Sequence, residues 1–159
     1  MTVLIVCTGN ICRSPMAAAI LEHLLQARGI KDLAVRSAGT APWDGAPASE
    51  GSYLVSLEHG LDLSSHRSRQ LTTAIVADAG LILGMSAGHV DRAIQLGGAG
   101  KSHLLGEYAG EPAEDAEVAD PFGGEIEEYR ATYERLASLL EAALPRLIAE
   151  RPDADPGQH

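Results

Sequence analysis

Two residues of this chain are suited by type and spacing to do chemistry together. Cys7 and Arg13 stand with five residues between them in Cys7-Thr8-Gly9-Asn10-Ile11-Cys12-Arg13-Ser14-Pro15. A cysteine surrounded by N–H donors and close to a guanidinium is favoured as the thiolate, the nucleophilic form. Arg13 offers a planar fork that matches two oxygens of a phosphate, a task for which lysine is poorly shaped. Gly9 permits a positive φ or a close backbone approach, and Asn10 is among the few other residues that tolerate the left-handed region. The Ser14 hydroxyl can donate to a thiolate, and Pro15 suits the first turn of a helix. Cys7 alone would be read as an ordinary buried cysteine. The whole set in this order points to nucleophilic attack on a bound oxyanion.

The flanking residues supply the elements that would hold such a site. Val3-Leu4-Ile5-Val6 is a β-favouring aliphatic run, and an Ala/Leu-rich helical pattern follows the loop. A loop at the carboxyl end of a strand that opens a helix aims backbone N–H groups and the positive end of the helix dipole at one point. Met16 to Arg28 carries Ala17, Ile20, Leu21, Leu24 and Leu25 at helical spacing, with Gly29 at its end. Leu33 to Gly39 reads as a second strand, so the unit is strand, helix, strand, which implies a parallel pair and a right-handed crossover. Ligands of such sheets lie beyond the carboxyl ends of the strands, where Ser37 could brace the loop or simply satisfy a turn.

Further along, Gly39 to Ala46 is a loop carrying Trp43, the only tryptophan. Pro47 to Leu57 reads as a helix with Tyr53, Leu54 and Leu57 inward, Gly80 to Met85 as a buried strand, and Ser86 to Leu96 as a short helix. Gly97 to Ser102 contains Gly-Lys-Ser, but the nucleotide-binding pattern needs a glycine where Gln95 stands, so the motif fails. A strand from Ser102 to Leu105 follows. Glu107 to Ala119 is acidic without an apolar period and reads as a solvated loop. A long helix begins near Glu125 with Ile126, Tyr129, Tyr133, Leu136, Leu140, Ala143, Leu144 and Leu147 on one face, and Pro145 is expected to kink it or fray its last turns. The expected fold is α/β: a three-layer sandwich in which a four-stranded parallel sheet has helices on both faces and the phosphate-binding loop follows the first strand. Residues 1–150 are expected to form one domain, with 151–159 a disordered tail.

Cys7 to Pro15 resembles, at essentially every position, the phosphate-binding loop of the low-molecular-weight protein tyrosine phosphatases. The likeness extends over about residues 2–148. It implies a cysteinyl-phosphate mechanism with Cys7 as nucleophile, Arg13 as phosphate clamp and, on a late Asp-Pro loop, Asp120 as general acid and base. Asp120-Pro121-Phe122-Gly123-Gly124 follows Cys7 by about 110 residues and supplies that loop. The resemblance assigns Thr8, Gly9, Asn10, Ile11, Cys12, Ser14, Trp43 and Phe122 to substrate binding, the two aromatic residues as pocket walls. His66 stands in a segment similar to the family's His-x-x-Arg-Gln, here His66 to Gln70, and with Ser37 would support Asn10 in a strained conformation. Asp-Pro-Phe-Gly-Gly is also similar to a bacterial branch that includes protein-arginine phosphatases. In the arginine-specific relatives a threonine matches Ile11, so Ile11 implies phosphotyrosine, with phosphoarginine as the alternative. An arsenate reductase would need further cysteines, and a non-catalytic anion-binding or redox-sensing module would not need the acid. Cys12 is expected to form a reversible disulfide with Cys7 under mild oxidation.

Composition agrees with a globular protein and narrows the partners. Of 159 residues, 45% are hydrophobic and 21% charged, and the formal net charge is −10. That balance argues against nucleic acid and anionic membranes, so the expected partners are a phosphotyrosine-containing protein or peptide and inorganic phosphate as product and inhibitor. Both cysteines lie in one loop, which suits a reducing cytoplasm better than a disulfide scaffold and gives no ligand spacing for a metal. No cofactor is expected. No basic-then-apolar leader precedes the first strand, and no apolar run approaches the ~20 residues of a membrane span.

Overall fold

A computed structural model describes residues 1–152. Within them four strands, β1 (Thr2–Cys7), β2 (Ala34–Gly39), β3 (Leu81–Gly84) and β4 (Ser102–Leu104), form one parallel sheet in the order β2-β1-β3-β4. Strict alternation along the strands builds two cores. Val3, Ile5 and Cys7 of β1, with Leu81 and Leu83 of β3, face the larger one, under α1 (Arg13–Ala27), α2 (Glu50–Glu58) and the long α6 (Ile126–Glu150). Leu4, Val6 and Ile82 face the smaller one, under α3 (Thr73–Asp78) and α4 (Ala87–Ala93). Side chains that alternate between faces are what a strand covered on both sides requires. The expected three-layer sandwich is therefore the observed one.

Strand order fixes where a site can form. The chain leaves β1 toward β2 on one side and reaches β3 on the other, so β1 is where the winding reverses. In the register Cys7 lies beside Gly39 and Val6 beside Gly84, which brings three loops to one edge. Gly39 meets a steric demand there. A Cβ on it would stand 2.5 Å from the Thr8 carbonyl oxygen and 3.0 Å from the Asn10 Cβ.

Several sequence expectations are corrected. Leu54 and Leu57 are exposed, and α2 instead buries Ser52, Val55 and Ser56. The cause is a close helix contact: a Cβ on Gly51 would be 2.5 Å from the Tyr129 ring, so α2 meets α6 through its small residues. The segment Glu107 to Ala119 is not simply solvated. It continues α5 (Leu105–Tyr108), makes a tight turn at Ala113–Asp115, and buries Tyr108, Ala116 and Val118. Helix α6 runs through Pro145 to Glu150 without ending. Of the tail expected over 151–159, Arg151 follows α6 and lies 3.5 Å from Asp32, and 153–159 fall outside the described residues.

Gly39→Ala should force the phosphate-binding loop away from β2. Overpacking against backbone costs about 2 kcal/mol, or roughly 4–8 °C in Tm. A thermal melt that leaves Tm unchanged would show that the loop can move aside freely.

Candidate functional site

The loop between β1 and α1 is organised around Asn10, which is fully buried at φ 55°. Both donors of its side-chain amide and the amide oxygen have partners. Oδ1 accepts from the Arg69 backbone N–H at 2.9 Å, while Nδ2 donates to Ser14 Oγ at 2.8 Å and to Ser37 Oγ at 2.9 Å. The Asn10 carbonyl accepts from His66 Nε2 at 2.6 Å. Burial pushes the His66 pKa down, which keeps that ring a neutral single donor. Ser37 and His66 thus both reach Asn10, from different segments. Ser14 Oγ accepts from Asn10 and lies 3.0 Å from Cys7 Sγ, so its own proton is free to point at the sulfur.

Arg13 opens α1 and is buried, 5% exposed. Its Nη1 donates to the Val118 carbonyl at 2.9 Å and its Nη2 lies 3.5 Å from Asp120 Oδ2. Its Nε is buried and has no partner among the described residues. Leaving a guanidinium N–H buried and unpaired costs about 1–3 kcal/mol, which an oxyanion over the loop would relieve. Asp120 itself is half-exposed at the rim and accepts from the Phe122 N–H at 3.0 Å. Cys7, Thr8, Gly9, Ile11, Cys12, Arg13, Ala41, Trp43, Asp120 and Phe122 line a single cleft.

Two expected substrate contacts do not line that cleft. Asn10 and Ser14 are fully buried beneath it, committed to the network just described. Cys12 lines it, yet its thiol is turned toward Ser49 Oγ at 3.3 Å and the Tyr129 hydroxyl at 3.6 Å, and burial pushes its pKa up. Both cysteines are free.

The profile of the family described as low molecular weight phosphotyrosine protein phosphatase matches residues 2–153. The chain belongs to this family. It is 36% identical over 149 residues to a protein-arginine-phosphatase of Geobacillus stearothermophilus, covering 94% of this chain and 97% of that one. Identity is also 36%, over 151 residues, to the probable low molecular weight protein-tyrosine-phosphatase EpsP of Ralstonia nicotianae, with coverage of 93% and 97%. Among solved structures, a Cys-to-Ser mutant of the YwlE arginine phosphatase with a phosphorylated active-site serine superposes at TM-score 0.87. It is 33% identical, with 95% of this chain and 98% of that one covered.

One residue beside the cleft is marked by no motif in the sequence. His89, in the first turn of α4, is buried, and its Nε2 lies 2.9 Å from Thr8 Oγ1. Its Nδ1 accepts from the Ser86 backbone N–H at 3.0 Å. The available signal was a histidine three residues after the helix-capping Ser86, a weak one without the fold. Glu117, within the acidic run, is likewise unmarked. Its carboxylate accepts from the Ala87 N–H at 2.8 Å and ties the loop that carries Asp120 to the start of α4.

Burial first, and the Arg13 guanidinium second, push the His89 pKa down to about 4. The unfolded ring takes its proton near ~6.5 and the folded one only near the lower value, so stability is full above the first and is lost as pH falls between them. From pH 7 to 4.5 the wild type should therefore lose about 2 kcal/mol more than His89→Gln in urea titrations. Parallel losses in the two proteins would mean that the folded ring takes up its proton as readily as the unfolded one.

Proposed function

We propose that this chain is a protein phosphatase that hydrolyses phosphotyrosine through a cysteinyl-phosphate intermediate. The observation that carries the reading is the arrangement of one cleft, with Cys7 and the buried fork of Arg13 at its floor and Asp120 at its rim. Cys7 Sγ attacks phosphorus; the S–P bond forms as the bond from phosphorus to the phenolic oxygen breaks, and Asp120 in its acid form gives that oxygen a proton. Asp120, now a carboxylate, then takes a proton from water, whose oxygen attacks phosphorus while the S–P bond breaks. Inorganic phosphate and the free thiolate result. Arg13 and the loop amides carry the charge of the equatorial oxygens in both steps, and Ser14 steadies the thiolate when it leaves. These residues and water balance each step. The phosphorylated serine of the Cys-to-Ser neighbour is what a covalent phosphoenzyme would leave behind, and it supports Cys7 in the same part.

Tyrosine is favoured over arginine by the walls. Ile11 and Ala41 are aliphatic, and Trp43 and Phe122 stand exposed at 76% and 60%, presenting flat faces to a phenyl ring. A phosphoguanidinium brings several N–H donors, and among the described residues the side-chain oxygens lining the cleft are the Asp120 carboxylate and the Thr8 hydroxyl. Identity to the tyrosine phosphatase and to the arginine phosphatase is equal, and it is the apolar walls that support the tyrosine reading. Free cysteines in the loop suit a reducing compartment, for which we infer the cytoplasm, and no helix among the described residues is long and apolar enough to cross a membrane.

Cys7→Ser should abolish turnover of aryl phosphates while still binding inorganic phosphate. Asp120→Asn should slow phenyl phosphate at least ~10-fold more than p-nitrophenyl phosphate, whose leaving group needs no proton. Equal slowing on both would remove Asp120 from the acid role. On peptides, kcat/KM should be higher for phosphotyrosine than for phosphoarginine, and Ile11→Thr should shift the ratio toward arginine by about 10-fold, the worth of one added hydrogen bond. A wild-type preference for phosphoarginine would transfer the assignment to the alternative.

A further inference from the structure

We propose that Thr8 is a second hydrogen-bond donor to the oxygen that Asp120 serves, and that His89 is the positioning residue that sets the direction of its hydroxyl. The inference rests on the phosphatase reading above and adds two residues to it.

The direction follows from what each partner is able to do. The Ser86 backbone N–H can only donate, and it meets His89 Nδ1 at 3.0 Å, so that nitrogen carries no proton. A neutral ring then holds its single proton on Nε2. Burial and the neighbouring Arg13 keep the ring neutral across the physiological range. Nε2 therefore donates to Thr8 Oγ1 at 2.9 Å, and the Thr8 hydroxyl, with an oxygen lone pair occupied from behind, must give its own proton elsewhere. Among the described residues it has no other partner. Thr8 is exposed and lines the cleft, so the remaining direction is into it.

Two kinds of oxygen wait there: the equatorial oxygens cradled by loop amides and Arg13, and the apical oxygen, first that of the leaving group and then that of water. Thr8 sits at the exposed rim while its neighbours Cys7 and Asn10 are buried, and the rim is where Asp120 stands. Thr8 and Asp120 line the same cleft above Cys7 and Arg13, so a hydroxyl aimed into it from the rim shares that space with the acid. In the first step Thr8 donates to the departing oxygen as Asp120 transfers the proton, and in the second to the oxygen of the attacking water. Its own proton stays on Oγ1 throughout. A histidine that merely stapled the loop to α4 would make no such distinction between oxygens.

Leaving-group dependence separates these roles. kcat/KM would be measured for the full-length protein and for Thr8→Val, Thr8→Ser, His89→Gln and the double variant Thr8→Val/His89→Gln, on phenyl phosphate and p-nitrophenyl phosphate, with inorganic phosphate as competitor. Thr8→Val should lower kcat/KM on phenyl phosphate about tenfold and on p-nitrophenyl phosphate less than about threefold, with the phosphate inhibition constant within about twofold. Thr8→Ser should recover most of the loss. His89→Gln, which keeps an N–H donor where Nε2 was, should fall between wild type and Thr8→Val on phenyl phosphate, and should cost nothing further in the Thr8→Val background. Equal falls on both substrates, or a phosphate inhibition constant that rises with them, would make Thr8 part of the anion cradle or of the scaffold and overturn the proposal. So would full additivity of the two substitutions. Wild-type protein inactive on both aryl phosphates would instead overturn the phosphatase reading, a result the variants cannot mimic.

Discussion

Everything in the site depends on one residue held in a conformation it would not choose. Asn10 at φ 55° turns the loop so that its backbone curls around the space above Cys7, and an asparagine free of restraint would gain by relaxing to a negative φ. It is held because its side-chain amide and its carbonyl are tied to three other segments: Ser14 on α1, Ser37 on β2, and Arg69 and His66 on the stretch before α3. Rotating it would strand several donors and acceptors away from water, at about 1–3 kcal/mol each, more than the strain it would release. A glycine would reach the same φ more cheaply but would bring none of these bonds. The loop is therefore preorganised by its supports, and Gly39 allows those supports to come close enough.

A second constraint comes from charge. At −10 the molecule as a whole repels an anionic substrate, so capture has to be local. Burial of Arg13 answers this, because a guanidinium in low dielectric acts at nearly full strength over a few ångströms and is felt little beyond. One arm of the fork is spent on the Val118 carbonyl. That bond does structural work as well, since it joins the phosphate-binding loop to the segment that leads to Asp120, and the acid is thereby located relative to the clamp. Arg13 Nη2 and Asp120 Oδ2 stand 3.5 Å apart across a half-exposed rim, where solvent screens the pair.

Much of this was legible in the sequence because the information was local. Strand, loop and helix, with Cys7, Asn10, Arg13 and Ser14 among them, lie within one short window, and the spacing of turn residues and the aliphatic run specify their order. The parallel pairing of the first two strands followed from the strand-helix-strand pattern. What escaped was whatever depended on contacts between distant segments. Leu54 and Leu57 look like core and are exposed because Gly51 lets a different face of α2 approach Tyr129, a fact about the partner helix. Tyr108, Ala116 and Val118 anchor a stretch whose charges suggested solvent, since a few small apolar contacts leave no period. Asn10 and Ser14 were assigned to substrate because they sit in the loop; their burial, and hence their supporting part, could only be read in three dimensions.

His89 and Glu117 illustrate the same limit from the functional side. Each has an unremarkable sequence setting, and each gains meaning only because the turn between β3 and α4 lies between the two loops that must cooperate. From that turn His89 reaches Thr8 in the phosphate-binding loop, while the Ala87 N–H holds Glu117 and the Met85 carbonyl accepts from the Val118 N–H at 2.9 Å. Both loops are thus referenced to one short piece of backbone at the end of a buried central strand. For a reaction whose two steps need a nucleophile below the phosphorus and an acid above it, the distance between loops is the quantity that matters, and misplacement by an ångström can cost about a hundredfold. A mobile Asp-Pro loop tethered only at its own ends could not hold it. Bracing against a shared rigid turn lets an exposed loop keep the alignment that its exposure would otherwise forfeit.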